Sequence, residues 1–397
     1  MAPPTGTDQP GTATRWSSLG TSDAAEPRAA GAEATRAALA GREAVLLVVF
    51  AGEALAASEV LAGVNAEAGG AAVVGCGADR VIANSRVAGD HVAVLALGGQ
   101  GFKAVTAAAA GREQPRTAGE TVASQMAASL GADPSLAIVF TAALTGDQNE
   151  VVRGLYSVLG GGVTLVGGAT GDFPISEPTV QFSGAEAVMD SVAGALVASD
   201  GPVGVGVAHG CRAVGDPLVV TRSDGVHVYE LDGRPALDVY ADMFEIGPDV
   251  LSDPDRFRQH GITHPLVLNS RRGLTQPRAV AAPLPDVRGI RCIADVPQSA
   301  LVWAGQPSHA ESLAATEEAC KQAIDGLAGR PLQALLVFDC IGRSVFLGPE
   351  ASATEIEIFQ RVAAGAPVTG FYTFGEIARI RGISGFHNEA VVVVAIG

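Results

Sequence analysis

The chain has 397 residues, 48% of them hydrophobic and 17% charged, with 50 glycines and 22 prolines. At about 150 residues per domain that is two to three domains, and the composition excludes a disordered or low-complexity chain. A formal charge of −16 repels phosphate backbones and argues against nucleic acid as a partner.

No apolar run reaches the roughly 20 residues of a bilayer span. The N-terminus lacks the basic and apolar regions of a secretory signal, so the expectation is a cytoplasmic protein with no membrane span. Cys76, Cys211, Cys292, Cys320 and Cys340 are scattered and form no C-x-x-C pair, which predicts reduced thiols rather than disulfides or a zinc cluster.

Residues 1–23 are rich in Pro, Gly, Thr and Ser and read as a disordered tail. Ala24 to Ala40, dense in Ala, Glu and Arg, reads as a helix that leads into the apolar strand Val45 to Phe50. From there Val/Leu-rich runs alternate with helical stretches and Gly-rich turns. That pattern predicts the α/β class: two domains of mixed β-sheets flanked by helices. Val219 to Leu231 alternates as a hairpin would and is followed by the turn signal Leu231-Asp232-Gly233-Arg234-Pro235, so the domains divide near 233, into 24–233 and 234–397.

An internal repeat stands out. Three segments run from an apolar strand through a helical stretch to a second strand with glycine: AVLLVVF to AAVVGCGAD, LAIVF to VTLVGGATGD, and ALLVF to PVTGFYTFGE. The spacing from Phe50 to Gly75, from Phe140 to Gly167 and from Phe338 to Gly370 fits a strand, crossover helix and strand unit. Helices are expected at Asp147 to Leu159, capped by Thr145 or Asp147, at Thr354 to Ala363, and from a Ser308/Glu311 capping box to about Leu327. The glycine turns that end the three second strands either supply tight exits or converge on a shared cavity.

Catalytic motifs are absent: the chain has no dinucleotide or phosphate loop, no H-E-x-x-H and no G-x-S-x-G. Between Arg256 and Arg291 seven arginines face one acid, Asp286, which suits either an anionic ligand or internal ion pairs.

The C-terminal stretch VTGFYTFGEIARIRGISGFHNEAVVVVAI resembles the closing signature of the FIST family, a G-x-x-T-x-G-E-I turn followed by F-H-N before the last strand. LLVFDCIGR and ELDGRPALDVY resemble segments of its C-terminal domain, and VVGCGAD, LVGGATGDF and VGVAHGCRAVGDPLVVT segments of its N-terminal domain; GCGADR departs from the family's usual first turn. The resemblance implies a sensory protein that binds a small polar metabolite, an amino acid among the proposed inputs, and signals through a separate effector protein. Carried onto this sequence, it implies pocket residues Cys76 and Asp79 on the first turn and Gly168 and Asp172 on the second. From the C-terminal half come Cys340, Arg343, Thr373, Glu376, His387 and Asn388. Thr373, Glu376 and Asn388 then meet an amino group and Arg343 a carboxylate. Three alternatives stand beside this reading: a haem-binding gas sensor with His209 as axial ligand, a protein-interaction adaptor, and a thiol-dependent enzyme using Cys340 or Cys76 with His387.

Overall fold

The computed structural model describes residues 15–143, 147–171, 179–269, 275–379 and 385–397. One structural unit recurs three times along the chain. The first comprises β1 (Trp16–Ser22), α1 (Pro27–Leu39), β2 (Ala44–Gly52), α2 (Ala57–Glu67), β3 (Ala72–Ala78), the hairpin β4 (Val81–Ala83) and β5 (Arg86–Ala88), and β6 (Val92–Gly98). The second repeats this order as β7 (Phe102–Ala110), α3 (Pro115–Leu130), β8 (Leu136–Ala142), α4 (Gln148–Leu159), β9 (Thr164–Thr170), β10 (Val180–Ser183), β11 (Glu186–Met189) and β12 (Ser191–Ser199).

The third unit opens with β13 (Val203–Ala208) and is then interrupted by an insertion. The insertion contains β14 (Cys211–Asp224), β15 (His227–Leu231), β16 (Arg234–Pro235), α5 (Ala236–Met243), α6 (Pro248–Leu251), α7 (Pro254–Thr263), β17 (Leu266–Asn269), β18 (Thr275–Arg278), β19 (Val280–Leu284), β20 (Gly289–Cys292) and β21 (Leu301–Pro307). The unit resumes with α8 (His309–Asp325), β22 (Ala334–Cys340), α9 (Ile341–Ala363), β23 (Val368–Thr373), β24 (Glu376–Arg379), β25 (Phe386–His387) and β26 (Val391–Ile396).

Strand register makes the equivalence of the units residue-specific. The helix-linked strands are parallel in each, with Val49 opposite Gly75, Val139 opposite Gly167 and Val337 opposite Gly370. A Cβ on those glycines would lie 1.9, 1.8 and 1.7 Å from the carbonyl oxygen of the facing valine. The glycines of the repeat are therefore strand residues whose missing side chain permits close backbone approach. The closing strands place Phe50 opposite Ala93, Phe140 opposite Ala193 and Phe338 opposite Val392. Each unit also lends its hairpin to a neighbour's sheet: β10 pairs with β3, β24 with β9 and β4 with β23.

That exchange ties the units into a closed ring with one core. Phe50, Phe140 and Phe338, one from the same position of each unit, gather with Phe371 at ring separations of 5.5 to 6.2 Å. All four are fully buried, and each such side chain contributes about 1.5–3 kcal/mol. The inserted strands form a separate sheet with its own core around Tyr240 and Phe257. Residue 233 lies in the turn between β15 and β16, inside the insertion, and the sheets run across it because β13 pairs with β26 and β4 with β23.

Two expectations are corrected. The tail expected to be disordered to residue 23 contains β1, paired with β6 from Trp16 opposite Gly98 to Ser22 opposite Val92. An edge strand requires few apolar residues, and Trp16 and Leu19 suffice here. The helix expected from Thr354 is the second half of α9, which begins at Ile341 and breaks at Gly348 (φ 68°) before Pro349. As expected, Asp147 caps α4, accepting from the Asn149 N–H at 2.9 Å, and Ser308 caps α8, accepting from the Glu311 N–H at 3.2 Å; the Glu311 carboxylate accepts from the Ser308 hydroxyl at 2.8 Å, while the Ser308 N–H donates to the Gly210 carbonyl instead of closing a capping box. Among the described residues no helix is long and apolar enough to cross a membrane.

Candidate functional site

A cavity of about 430 Å³ lies where the inserted sheet roofs the ends of strands from the second and third units. Its floor is Cys340 at the end of β22, Ile341 and Gly342 at the start of α9, Phe374 after β23, and Asn388 and Glu389 in the turn before β26. Ala143 and Asp147 come from the second unit, and the insertion contributes Asp224, His227, Arg258, Ala281, Arg291 and Cys292 among others. A second cavity of about 330 Å³, lined by His209, Thr275, Arg278, His387 and Asn388, shares Asn388 with the first.

Asn388 is 2% exposed. Its amide donates to the His387 carbonyl at 3.0 Å, while its Oδ1 accepts nothing among the described residues. Beside it, Glu389 sits in the left-handed region at φ 52° and its carboxylate packs over Gly342, where a Cβ would lie 2.3 Å from Oε1. Burial pushes the Glu389 carboxyl up to about 8, against the pull of Arg343. Glu389 was not among the residues carried over from the family pattern. Its signal is in the repeat: Asp90-His91-Val92, Asp190-Ser191-Val192 and Glu389-Ala390-Val391 all place an acid just before the closing strand.

Thr373 and Glu376 lie behind the cavity rather than in its wall. Thr373 Oγ1 is 2.5 Å from Glu376 Oε1 and 3.3 Å from the Asp339 carbonyl, and the Ala390 N–H donates to Glu376 Oε2 at 3.1 Å. The second unit holds the same brace at the same register. Gln181 Nε2 donates to Thr170 Oγ1 (2.8 Å), Thr170 Oγ1 to the Thr141 carbonyl (3.1 Å), and the Ser191 N–H to Gln181 Oε1 (2.8 Å). Thr373 has one hydroxyl proton, so when it donates to Asp339, Glu376 must carry its own proton, as the Gln181 amide does. Burial agrees: it pushes the Glu376 carboxyl up to about 8, while the bonds from Thr373 and Ala390 pull the other way.

Arg343, expected to meet a carboxylate, is placed among internal partners. It is 3% exposed and lines neither cavity; Nε meets Asp339 Oδ1 at 2.8 Å, and Nη2 meets Glu355 Oε1 at 2.5 Å and Thr316 Oγ1 at 2.8 Å. Burial, then the charge of Glu355, raises the Asp339 carboxyl well above its usual range, against the pull of Arg343.

The first-turn residues do not join the site either. Cys76 is fully buried in the central core, at the register position that Phe371 and Gly168 hold in the other units. Gly168 is glycine because a Cβ there would lie 2.5 Å from Thr373 Cγ2 and 3.3 Å from Phe371. Asp79 pairs with Arg80 at 3.3 Å, and Asp172 lies outside the described residues. Of the carried-over residues, Cys340 and Asn388 line the first cavity, and His387 lines the second with Asn388.

Cys340 and His387 thus face different cavities, and burial, with Glu376 and Glu389 nearby, pushes the Cys340 thiol well above its ordinary value. For haem, the His209 ring does not fit an axial role: Nε2 contacts the Thr275 carbonyl at 2.9 Å, and Nδ1 accepts from the Cys211 N–H at 3.3 Å. Within the arginine-rich segment, Arg256 pairs with Asp249 and Asp253, Arg258 with Asp255 and Arg288 with Asp238. Arg278 is buried beside Asp295, and Arg271 and Arg272 lie outside the described residues. Arg258 and Arg291 reach the cavity, and Arg291 has no ion pair among the described residues.

Two family models match this chain, the FIST N domain over residues 45–234 and the FIST C domain over 236–379. An uncharacterized protein of Mycobacterium tuberculosis is 28% identical over 236 residues, covering 57% of this chain and 59% of the relative. One of Mycobacterium bovis is 27% identical over 194 residues, covering 46% and 47%. The match thus spans about half of these curated relatives. Among solved structures, a chorismatase is similar at TM-score 0.36 and 11% identity over 98% of this chain and 99% of that one. A cyanuric acid hydrolase from A. caulinodans is similar at TM-score 0.29 and 11% identity over 48% and 72%.

Proposed function

The chain belongs to the FIST family, whose domains are generally sensory and signal-transducing, and from that premise we propose that the cavity under the inserted sheet is its sensory site. The ligand is a small polar metabolite, and the output passes to a separate effector protein in the cytoplasm. The observation that carries this reading is a buried wall with unmet polar groups: Asn388 Oδ1 without a donor beside the Glu389 carboxyl, in a space of about 430 Å³. Both cavity walls come from parts of the chain distant in sequence, so a bound molecule joins the insertion to the ring and alters their relative freedom. The separation of Cys340 from His387 supports binding rather than thiol catalysis, and the open space supports a ligand site rather than a side-chain-filled adaptor.

Thermal unfolding against amino acids, carboxylates and nucleotides tests the site, because a ligand at about 100 times its Kd adds roughly 2.7 kcal/mol. One chemical class is expected to raise the wild-type melting temperature and to lose that effect in Ala281→Trp, which fills the cavity from β19. No shift with any class, or a shift that survives Ala281→Trp, overturns the assignment.

A further inference from the structure

The three units offer an internal control for every residue at the floor of the cavity. The acids before the closing strands, Asp90, Asp190 and Glu389, are register equivalents. Asp90 pairs with Arg86 at 3.0 Å and Asp190 with Arg112 at 2.5 Å. Glu389 has no ion-pair partner within 4.0 Å among the described residues; it lines the cavity and is 7% exposed. Two copies thus use the acid as half of an arginine pair, and the third keeps it unpaired and buried.

Resting on the cavity reading above, we infer that Glu389 takes its missing partner from the ligand, and that the group it receives is a protonated primary amine. Two independent observations meet there: an acid stripped of the cation its equivalents hold, and the buried Asn388 Oδ1 with no donor. Together they present acceptors to the same space, and a primary ammonium carries three N–H donors and a positive charge to satisfy both. Gly342 leaves the room in which the Glu389 carboxylate lies. The titratable and charged groups of the roof and side wall are Asp224, His227, Arg258 and Arg291 from the insertion and Asp147 from the second unit. Arg291, exposed and without an ion pair among the described residues, suits an anionic group at the other end of the same ligand.

The test compares matched pairs that differ only in amine against hydroxyl: β-alanine with 3-hydroxypropionate, L-alanine with L-lactate, and putrescine with 1,4-butanediol. Thermal shift and calorimetric titration are run on wild type, Glu389→Gln and Asp190→Asn. At least one amine is expected to bind wild type ten-fold or more tightly than its hydroxyl counterpart, to lose ten-fold or more in Glu389→Gln, and to keep its affinity in Asp190→Asn. A hydroxyl compound that binds as well as its amine, or an affinity unchanged by Glu389→Gln, overturns the amine inference while the cavity reading stands. Silence of wild type toward this panel and the wider one overturns both. Should Glu389→Gln fail to fold, the wild-type amine-to-hydroxyl ratio decides alone.

Discussion

At the end of β9 the second unit holds Gln181 between Thr170 and the Ser191 N–H, and at the end of β23 the third holds Glu376 between Thr373 and the Ala390 N–H. The bonds match atom for atom, yet one side chain is an amide and the other an acid. In the first unit the same positions carry Ala78, Val81 and His91, where no such brace is possible and both ring nitrogens of the buried His91 are without a partner among the described residues. The comparison teaches that the Thr373/Glu376 pair of the terminal signature is a brace that the second unit also holds, whereas the residues that line the cavity lie one step away, at Asn388 and Glu389. Chain position within a unit sets the brace; the insertion over the third unit roofs the cavity.

Breaking the Asp339/Arg343/Glu355 triad, which among the described residues the third unit alone shows, has the largest expected effect. Thr141 stands in the second unit where Asp339 stands in the third. Arg343→Ala leaves Asp339 and Glu355 buried without their cation, and urea unfolding should show a loss of about 3–5 kcal/mol. Wild-type stability in that variant would mean the buried carboxyls need no counter-charge. Next come the three equivalent glycines: Gly75→Ala, Gly167→Ala and Gly370→Ala each force a methyl into a facing carbonyl and should each cost about 1–3 kcal/mol or more. One member left unharmed would break the claimed equivalence.

The brace itself is tested by exchange. Glu376 and Glu389 have carboxyls raised by burial from 4.5 to about 8, so the folded state holds more protons than the unfolded one between those values. Stability therefore falls as pH rises through that window and levels off above it. Glu376→Gln should flatten part of that slope and add about 1–3 kcal/mol at pH 9, where the amide replaces a buried charge. Gln181→Glu should import a slope of the same sign into the second unit. An unaltered pH profile in both variants would show that the two braces are not the same device. The smallest effect concerns helix starts: α3 has no side-chain cap, whereas Ser308 caps α8, so Ser308→Ala should cost about 1 kcal/mol in thermal unfolding.

Much of the fold was legible because the repeat writes itself in apolar runs: Phe50, Phe140 and Phe338 hold the same register position in equivalent strands, and Gly75, Gly167 and Gly370 follow at helix-sized intervals. The hairpin exchange was not legible, since β4, β10 and β24 are only three or four residues long and each pairs on one side with its own hairpin partner and on the other with a neighbouring unit's strand. Nor did local sequence show that Arg343 is consumed internally. Asp339 precedes it by one helical turn, but Glu355 and Thr316 reach it only through tertiary packing. Asn388 belongs to the terminal signature and Cys340 to the upstream LLVFDCIGR segment, and both line the cavity, whereas Thr373 and Glu376 of the same signature lie behind it. Glu389 recurs as an acid before all three closing strands, but its burial and its lack of an arginine partner among the described residues are set by tertiary packing and leave no mark in the local sequence.

The most direct measurement is a crystal structure of the protein with the compound that gives the largest thermal shift. The threefold comparison predicts density for that compound against Asn388 and Glu389 beneath the inserted sheet, with none at the equivalent Asp90 and Asp190 ends. A compound seated at either of those ends, or anywhere else with the space beside Glu389 left open, would contradict the assignment of sensing to the third unit.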